Sequence, residues 1–145
     1  MALKGPIILV EDDKNDAEVL CTAIKELGIP NDIKILHDAQ EAFDYLCTTQ
    51  DKPLVILCDI RMPLIDGLTF RKNIIGSDYL RRKSIPFVFL TGAVSQDIVN
   101  EAYELDVQGF FQKAGTYTGI KDQLLSIFMY WKRCLHPNKD VAPVK

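Results

Sequence analysis

The stretch Leu54-Val55-Ile56-Leu57-Cys58-Asp59-Ile60-Arg61-Met62-Pro63 decides the fold. Its first five residues are all apolar, with none of the alternation of a strand that keeps one face wet. A short apolar run bounded by turn residues reads as a strand buried on both faces, the habit of parallel sheets covered by helices. The run stops at a carboxylate, Asp59, and the chain then turns at Pro63 and at Asp66-Gly67. Open α/β sheets bind their ligands in the crevice beyond the carboxyl ends of the strands. Asp59 therefore stands where chemistry is expected.

Working outward from this strand, strand-like and helix-like segments alternate. Residues 6–10 read as a first strand and 13–27 as a helix, with Ala17, Leu20, Ile24 and Leu27 on one face. Asp13 can cap its start, and Gly28 and Pro30 mark its end. Residues 33–36 form a second strand and 38–47 a second helix, where Asp38 and Glu41 have the spacing of an acidic capping box and Ala42, Phe43 and Leu46 point inward. The strand at 54–58 is followed by a helix at 67–75 and a charged connection at 76–84. A fourth strand at 86–90 leads to a helix at 95–105, capped by Ser95, with Ile98, Ala102 and Leu105 inward. The fifth strand is 109–112, and Thr118 opens a last helix reaching Cys134.

Five βα units in succession predict an α/β fold: a five-stranded parallel sheet with helices on both faces. Five units are too few for a barrel, and they suit a doubly wound, flavodoxin-like sheet of order 2-1-3-4-5. The chain of 145 residues reads as one domain over 1–134 with a mobile tail over 135–145, aperiodic and holding two prolines.

Composition narrows the function classes. The apolar share is 48% and the charged share 26%, values of an ordinary globular protein rather than a disordered one. A net charge of −3 argues against a general nucleic-acid or anionic-membrane binder. No apolar run has the length of a membrane span, and Met1-Ala2-Leu3-Lys4-Gly5 lacks the layout of a signal peptide. Cys21, Cys47, Cys58 and Cys134 match no metal or redox spacing, and they read as reduced thiols of a cytoplasmic protein. His37 and His136 have no ligand spacing and read as surface residues.

The polar residues at the strand ends carry the chemistry. Strand one ends in Glu11-Asp12-Asp13, strand three in Asp59, strand four in Thr91 and strand five in Lys113. All open onto one edge of the sheet. Carboxylates gathered there repel one another unless a cation joins them, either a divalent metal or the Lys113 ammonium. Oxygen ligands without histidine or cysteine suit a hard ion, Mg²⁺ or Mn²⁺, with Asp12 and Asp59 as the fitting carboxylates. Lysine is a good point-charge partner for a phosphoryl oxygen, and Thr91 adds a hydroxyl donor. Together these groups can form and hold an aspartyl-phosphate. Taken singly each has an ordinary reading: Asp13 a helix cap, Asp59 a turn cap, Thr91 a strand-end residue, Lys113 a surface lysine.

The segments Ile8-Leu9-Val10-Glu11-Asp12-Asp13, Cys58-Asp59-Ile60-Arg61-Met62-Pro63 with Asp66-Gly67, Leu90-Thr91-Gly92 and Phe110-Phe111-Gln112-Lys113 resemble the receiver domain of two-component response regulators. The match runs over residues 6–134, in the family's order and on the matching elements. The resemblance implies that Asp59 is the phosphoacceptor, taking a phosphoryl group from a sensor histidine kinase or a phosphotransfer protein. It implies Asp12 as a direct Mg²⁺ ligand, Glu11 as a ligand through water and the Arg61 backbone carbonyl as a further one. Lys113 and Thr91 are then the phosphoryl's partners, and Thr91 with Phe110 the switch pair. The implied protein is a signalling module, not a dedicated enzyme. The layout resembles in particular the stand-alone regulators paired with phytochrome-type or hybrid kinases.

The chain departs from the family at three places. Ala114 follows Lys113 where proline is usual, so a cis bond there is not expected. Gly92 follows Thr91, and Phe110 lacks the hydroxyl of a tyrosine. The last helix carries Ile120, Leu124, Ile127, Phe128 and Trp131 on one face and Leu125, Met129 and Tyr130 elsewhere. So much apolar circumference reads either as a wider core contact or a tail folding over it, or as a partner surface for a homodimer made with the 95–105 helix and strand five. Two other functions compete. A phosphatase of haloacid-dehalogenase type would need a second aspartate where Arg61 stands. A degenerate receiver would act as a constitutive interaction module, and the intact polar set argues against it.

Overall fold

The computed structural model describes residues 4–137. Eleven elements follow in order: β1 (Ile7–Val10), α1 (Lys14–Glu26), β2 (Ile33–Leu36), α2 (Ala39–Thr48), β3 (Val55–Cys58), α3 (Gly67–Gly76), α4 (Asp78–Lys83), β4 (Phe87–Thr91), α5 (Gln96–Glu104), β5 (Gly109–Gln112) and α6 (Tyr117–Arg133). The strands form one parallel sheet in the order β2-β1-β3-β4-β5, as the succession of βα units requires.

Strand periodicity sorts the core into two layers. Ile8, Val10, Ile56, Cys58, Phe87 and Phe89 point to one face, where α2 to α5 cover them. Ile7, Leu9, Val55, Leu57, Val88 and Leu90 point to the other, under α1 and α6. Successive side chains of a strand alternate, so a strand buried on both faces is apolar along its length, as β1 and β3 are and as β4 is up to Thr91. Phe110 and Phe111 divide between the two layers for the same reason.

The expected caps at Asp13, Asp38 and Ser95 form, and Asp66, which the sequence marks only as a turn residue, caps α3 as well. Asp13, Asp38, Asp66 and Ser95 each accept a hydrogen bond from the backbone N–H three residues on, satisfying a first-turn donor that has no partner within the helix.

Three sequence expectations need correction. The 76–84 connection contains the helix α4, capped by Ser77, which accepts from the Leu80 N–H at 3.2 Å. α6 starts at Tyr117, not Thr118, because Thr116 is its cap and accepts from the Gly119 N–H at 3.1 Å. His136 is not a surface residue. It is buried, its Nε2 lies 2.6 Å from the Leu54 carbonyl oxygen, and its ring stands edge-on to Trp131 at 5.2 Å. The start of the expected mobile tail is thus fastened beneath β3; the tail's residues 138–145 lie outside the described residues. Cys58 is buried, Cys21 and Cys134 are half-buried and Cys47 is exposed, and all four are free thiols. No peptide bond among the described residues is cis. No helix among them is long and apolar enough to cross a membrane.

Candidate functional site at the carboxyl edge of the sheet

The sheet's own hydrogen bonds deliver the polar residues. The Glu11 N–H bonds the Leu36 carbonyl at 3.0 Å, the Asp59 N–H bonds the Val10 carbonyl at 3.0 Å and the Lys113 N–H bonds the Thr91 carbonyl at 2.9 Å. Each residue continues the ladder one step past its strand, so its side chain starts from a fixed height above the sheet.

The β3–α3 turn closes beneath Asp59. The Gly67 N–H donates to the Ile60 carbonyl at 2.8 Å. A Cβ on Gly67 would lie 2.3 Å from the Asp59 carbonyl oxygen, so only glycine lets α3 begin this close to the acidic residue. Leu64, at the tip of the turn, is fully exposed and has φ 69°.

Asp59 is held from the β4 side. The fully buried Thr91 hydroxyl donates to Asp59 Oδ1, and the same oxygen accepts from the Ile60 N–H at 2.8 Å. Thr91 Oγ1 in turn accepts from the Ala93 N–H at 3.1 Å. This leaves Oδ2 facing Lys113, whose Nζ is 3.9 Å away. The ammonium sits closer to Glu11 Oε2, at 2.8 Å, and to Asp16 Oδ2, at 3.3 Å.

Burial sets the charge balance. Glu11 is almost wholly buried, and burial pushes its carboxyl up. The Lys113 hydrogen bond opposes that rise and the Asp59 charge adds to it, for a net value of about 7. Burial alone would lower Lys113, but Glu11, Asp59 and Asp16 outweigh it and raise the ammonium. The Cys58 thiol is pushed well up by burial and then by Asp59, Glu11 and Asp66; it stays protonated and lies 3.0 Å from the Asp59 carbonyl oxygen.

Carboxylate oxygens of Glu11, Asp12 and Asp59 all lie within 4.8 Å of one another. Three oxygen donors with no nitrogen or sulfur among them fit a hard divalent cation, and Mg²⁺ commonly takes one or two carboxylates plus waters and a phosphate. Arg61 is exposed in the loop after β3, and among the described residues no backbone N–H bonds its carbonyl. Phe110 packs on Phe89 with ring centroids 5.8 Å apart, two residues from Thr91 along the neighbouring strand.

Of the residues singled out in the sequence, Glu11, Asp12, Asp59, Thr91 and Lys113 come together at this edge, Arg61 follows Asp59 by two residues in the loop, and Phe110 lies behind them on Phe89. Asp16 was not among them. Its only sequence signal is its place in the first turn of α1, which reads as a favourable interaction with the helix dipole.

Residues 7–124 match the family described as the response regulator receiver domain. The chain is a member of that family. The receiver is 33% identical over 129 residues to "Probable methanogenesis regulatory protein FilR2" of Methanothrix harundinacea, a match covering 86% of this chain and 82% of that one. It is 29% identical to the response regulator Rcp1 of Synechocystis sp., covering 86% and 87%. Among solved structures it is similar to the phosphorylated cyanobacterial phytochrome response regulator RcpA, with a TM-score of 0.84 and 25% identity over 94% of this receiver and 100% of that chain. It is also similar to the Mn²⁺-bound form of Rcp1, with a TM-score of 0.77 and 28% identity over 90% and 96%.

Proposed function

We propose that this receiver is phosphorylated on Asp59 and serves as a phosphorylation-controlled signalling switch. The observation that carries the reading is the convergence on one carboxylate of the Thr91 hydroxyl, the Lys113 ammonium and the Glu11–Asp12 pair. Asp59 Oδ1 is occupied by Thr91 and the Ile60 N–H, so Oδ2 is the attacking oxygen. It forms an O–P bond as the P–N bond of a phosphohistidine breaks; the electron pair of that bond stays on the ring nitrogen, and the imidazole, already protonated on its other nitrogen, leaves neutral. Asp12 would hold Mg²⁺ or Mn²⁺ directly, with Glu11 through water and the Arg61 carbonyl as a further ligand. The ion supplies positive charge for the phosphoryl oxygens. Lys113 and Thr91 neutralise and hydrogen-bond the same oxygens.

Local geometry supports a switch through Thr91 and Phe110. Thr91 loses its bond to Asp59 Oδ1 when it turns to a phosphoryl oxygen, and Phe110 on Phe89 repacks with it. Both neighbour the face formed by α5, β5 and α6, where a groove of about 340 Å³ is lined by Tyr103, Phe110, Tyr130 and Trp131. Tyr130 is 62% exposed and Leu125 40%, which supports the partner-surface reading of α6, with a second copy of the chain as its occupant. The phosphoryl donor is a sensor histidine kinase or phosphotransfer protein. The likeness to the phytochrome response regulator RcpA favours a phytochrome-type kinase.

Beryllofluoride, a phosphoryl mimic, tests the reading. With Mg²⁺ it should bind the wild type, and Asp59→Asn should abolish binding; equal binding to both would refute the assignment. Sedimentation with and without beryllofluoride checks the dimer, which an unchanged monomer would exclude.

A further inference from the structure

Lys113 Nζ has three carboxylate neighbours, and its proposed working partner Asp59 is the farthest of them. Glu11 Oε2 is at 2.8 Å and Asp16 Oδ2 at 3.3 Å, against 3.9 Å for Asp59 Oδ2. Glu11 belongs to the proposed metal site. Asp16 does not. It lies on the first turn of α1, where its backbone N–H donates to the Asp13 cap at 3.0 Å, and its side chain is half exposed at the mouth of the crevice. The cap fixes the turn, and the turn aims the carboxylate at Lys113, 97 residues away in sequence.

We propose that Asp16 is a positioning residue that holds the Lys113 ammonium on the α1 side of the crevice and restrains phosphoryl acceptance by Asp59. The inference rests on Asp59 being the phosphoacceptor. A lysine ammonium is a compact charge on a flexible stem, so it settles among the carboxylates that surround it. In the unphosphorylated chain Asp16 holds part of that charge away from Asp59. A phosphoryl group carries more negative charge and sits deeper than Asp16, so it draws the ammonium inward and the Asp16 contact is given up. Asp16 also adds a negative charge at the entrance, which opposes an incoming phosphoryl anion. Both effects have the same sign: removing the Asp16 charge favours the phosphorylated form. The size is that of a solvent-facing ion pair, roughly two- to five-fold in an equilibrium constant.

The test compares wild type, Asp16→Asn and Asp16→Glu in two readouts. In the first, beryllofluoride is titrated into the Mg²⁺-loaded proteins. Asp16→Asn should bind it roughly two- to five-fold more tightly, and Asp16→Glu should return toward wild type. Unchanged or weaker binding by Asp16→Asn would overturn the proposal. In the second, the Lys113 side-chain ammonium is observed by NMR in metal-free protein. Its resonance should shift and exchange faster with solvent in Asp16→Asn, and less so in Asp16→Glu. A resonance that Asp16→Asn leaves untouched would also overturn it. A role confined to the helix dipole would alter stability alone and move neither readout. If wild type fails to bind beryllofluoride at all, the phosphoacceptor reading falls, while the ammonium resonance still decides whether Asp16 positions Lys113.

Discussion

The Thr91 hydroxyl donates a hydrogen bond to Asp59 Oδ1 across the β3–β4 crevice, from a side chain with no solvent exposure. The same hydroxyl oxygen takes the Ala93 N–H, so a change at Thr91 is felt at once in the loop that leads to α5. Thr91→Ala removes a donor to a charged group, a bond worth about 1.5–3 kcal/mol. It should weaken Mg²⁺-dependent beryllofluoride binding by about ten-fold or more, while Thr91→Ser keeps most of it. Titration of the three proteins checks this, and equal affinities would show that Thr91 does not reach the phosphoryl position.

Glu11 predicts a pH dependence of stability in metal-free protein. Its folded pKa of about 7 lies above the ordinary 4.5, so folding favours the protonated form. That contribution is fully present below pH 4.5 and is lost as pH rises to about 7, by no more than about 3 kcal/mol. Urea midpoints of chelator-treated wild type should therefore fall between about pH 4.5 and 7 relative to those of Glu11→Gln. Parallel profiles for the two proteins would contradict the assignment.

Gly67 predicts a coupling between backbone packing and the site. Gly67→Ala drives a methyl group against the Asp59 carbonyl, 2.3 Å from the ideal Cβ position, and against Ile60 Cα at 2.9 Å. Overpacking of this kind costs about 1–3 kcal/mol. The variant should lose stability in urea and also bind beryllofluoride more weakly, because Asp59 must move. Loss of stability with unchanged binding would mean that the turn yields elsewhere.

Arg71 is a buried cation whose partners are carbonyls. Its Nε donates to the Leu105 carbonyl at 2.9 Å, an Nη donates to the Asp106 carbonyl at 3.0 Å, and the guanidinium lies 5.1 Å from the centre of the Phe87 ring. It ties α3 to the carboxyl end of α5, beside the Lys72–Glu101 pair at 3.0 Å. Arg71→Met should cost about 2–4 kcal/mol by removing the Leu105 carbonyl's side-chain donor and one of the two at the Asp106 carbonyl, which keeps Gln108 Nε2 at 3.1 Å. Arg71→Lys should recover little, because an ammonium cannot reproduce the two-point fork. Urea denaturation checks both, and a wild-type midpoint in either would remove this role.

These residues also mark where the sequence was legible. The apolar runs of β1, β3 and β4 show double burial directly, and strand ends in an open sheet share one edge, so Asp59, Thr91, Lys113 and the Glu11–Asp12 pair could be placed together from order alone. Helix α4 escaped because six residues are too few for a helical stripe to repeat, and Leu80 is its one buried side chain. Its signal was the Ser77 cap before Asp78, with Arg81-Arg82-Lys83 in the last turn. His136 and Arg71 bond backbone carbonyls 82 and 34 or 35 residues away, and no local pattern announces such partners. Asp16 went unnoticed because its partner Lys113 is 97 residues away and arrives only when β5 joins the sheet.

Everything proposed for the site turns on Asp59 accepting the phosphoryl group. Intact-protein mass spectrometry after incubation with acetyl phosphate and Mg²⁺ tests it most directly. Wild type should gain one phosphoryl group, and neither Asp59→Asn nor wild type with Mg²⁺ chelated should gain any. An equal gain in Asp59→Asn, or none in wild type, would contradict it.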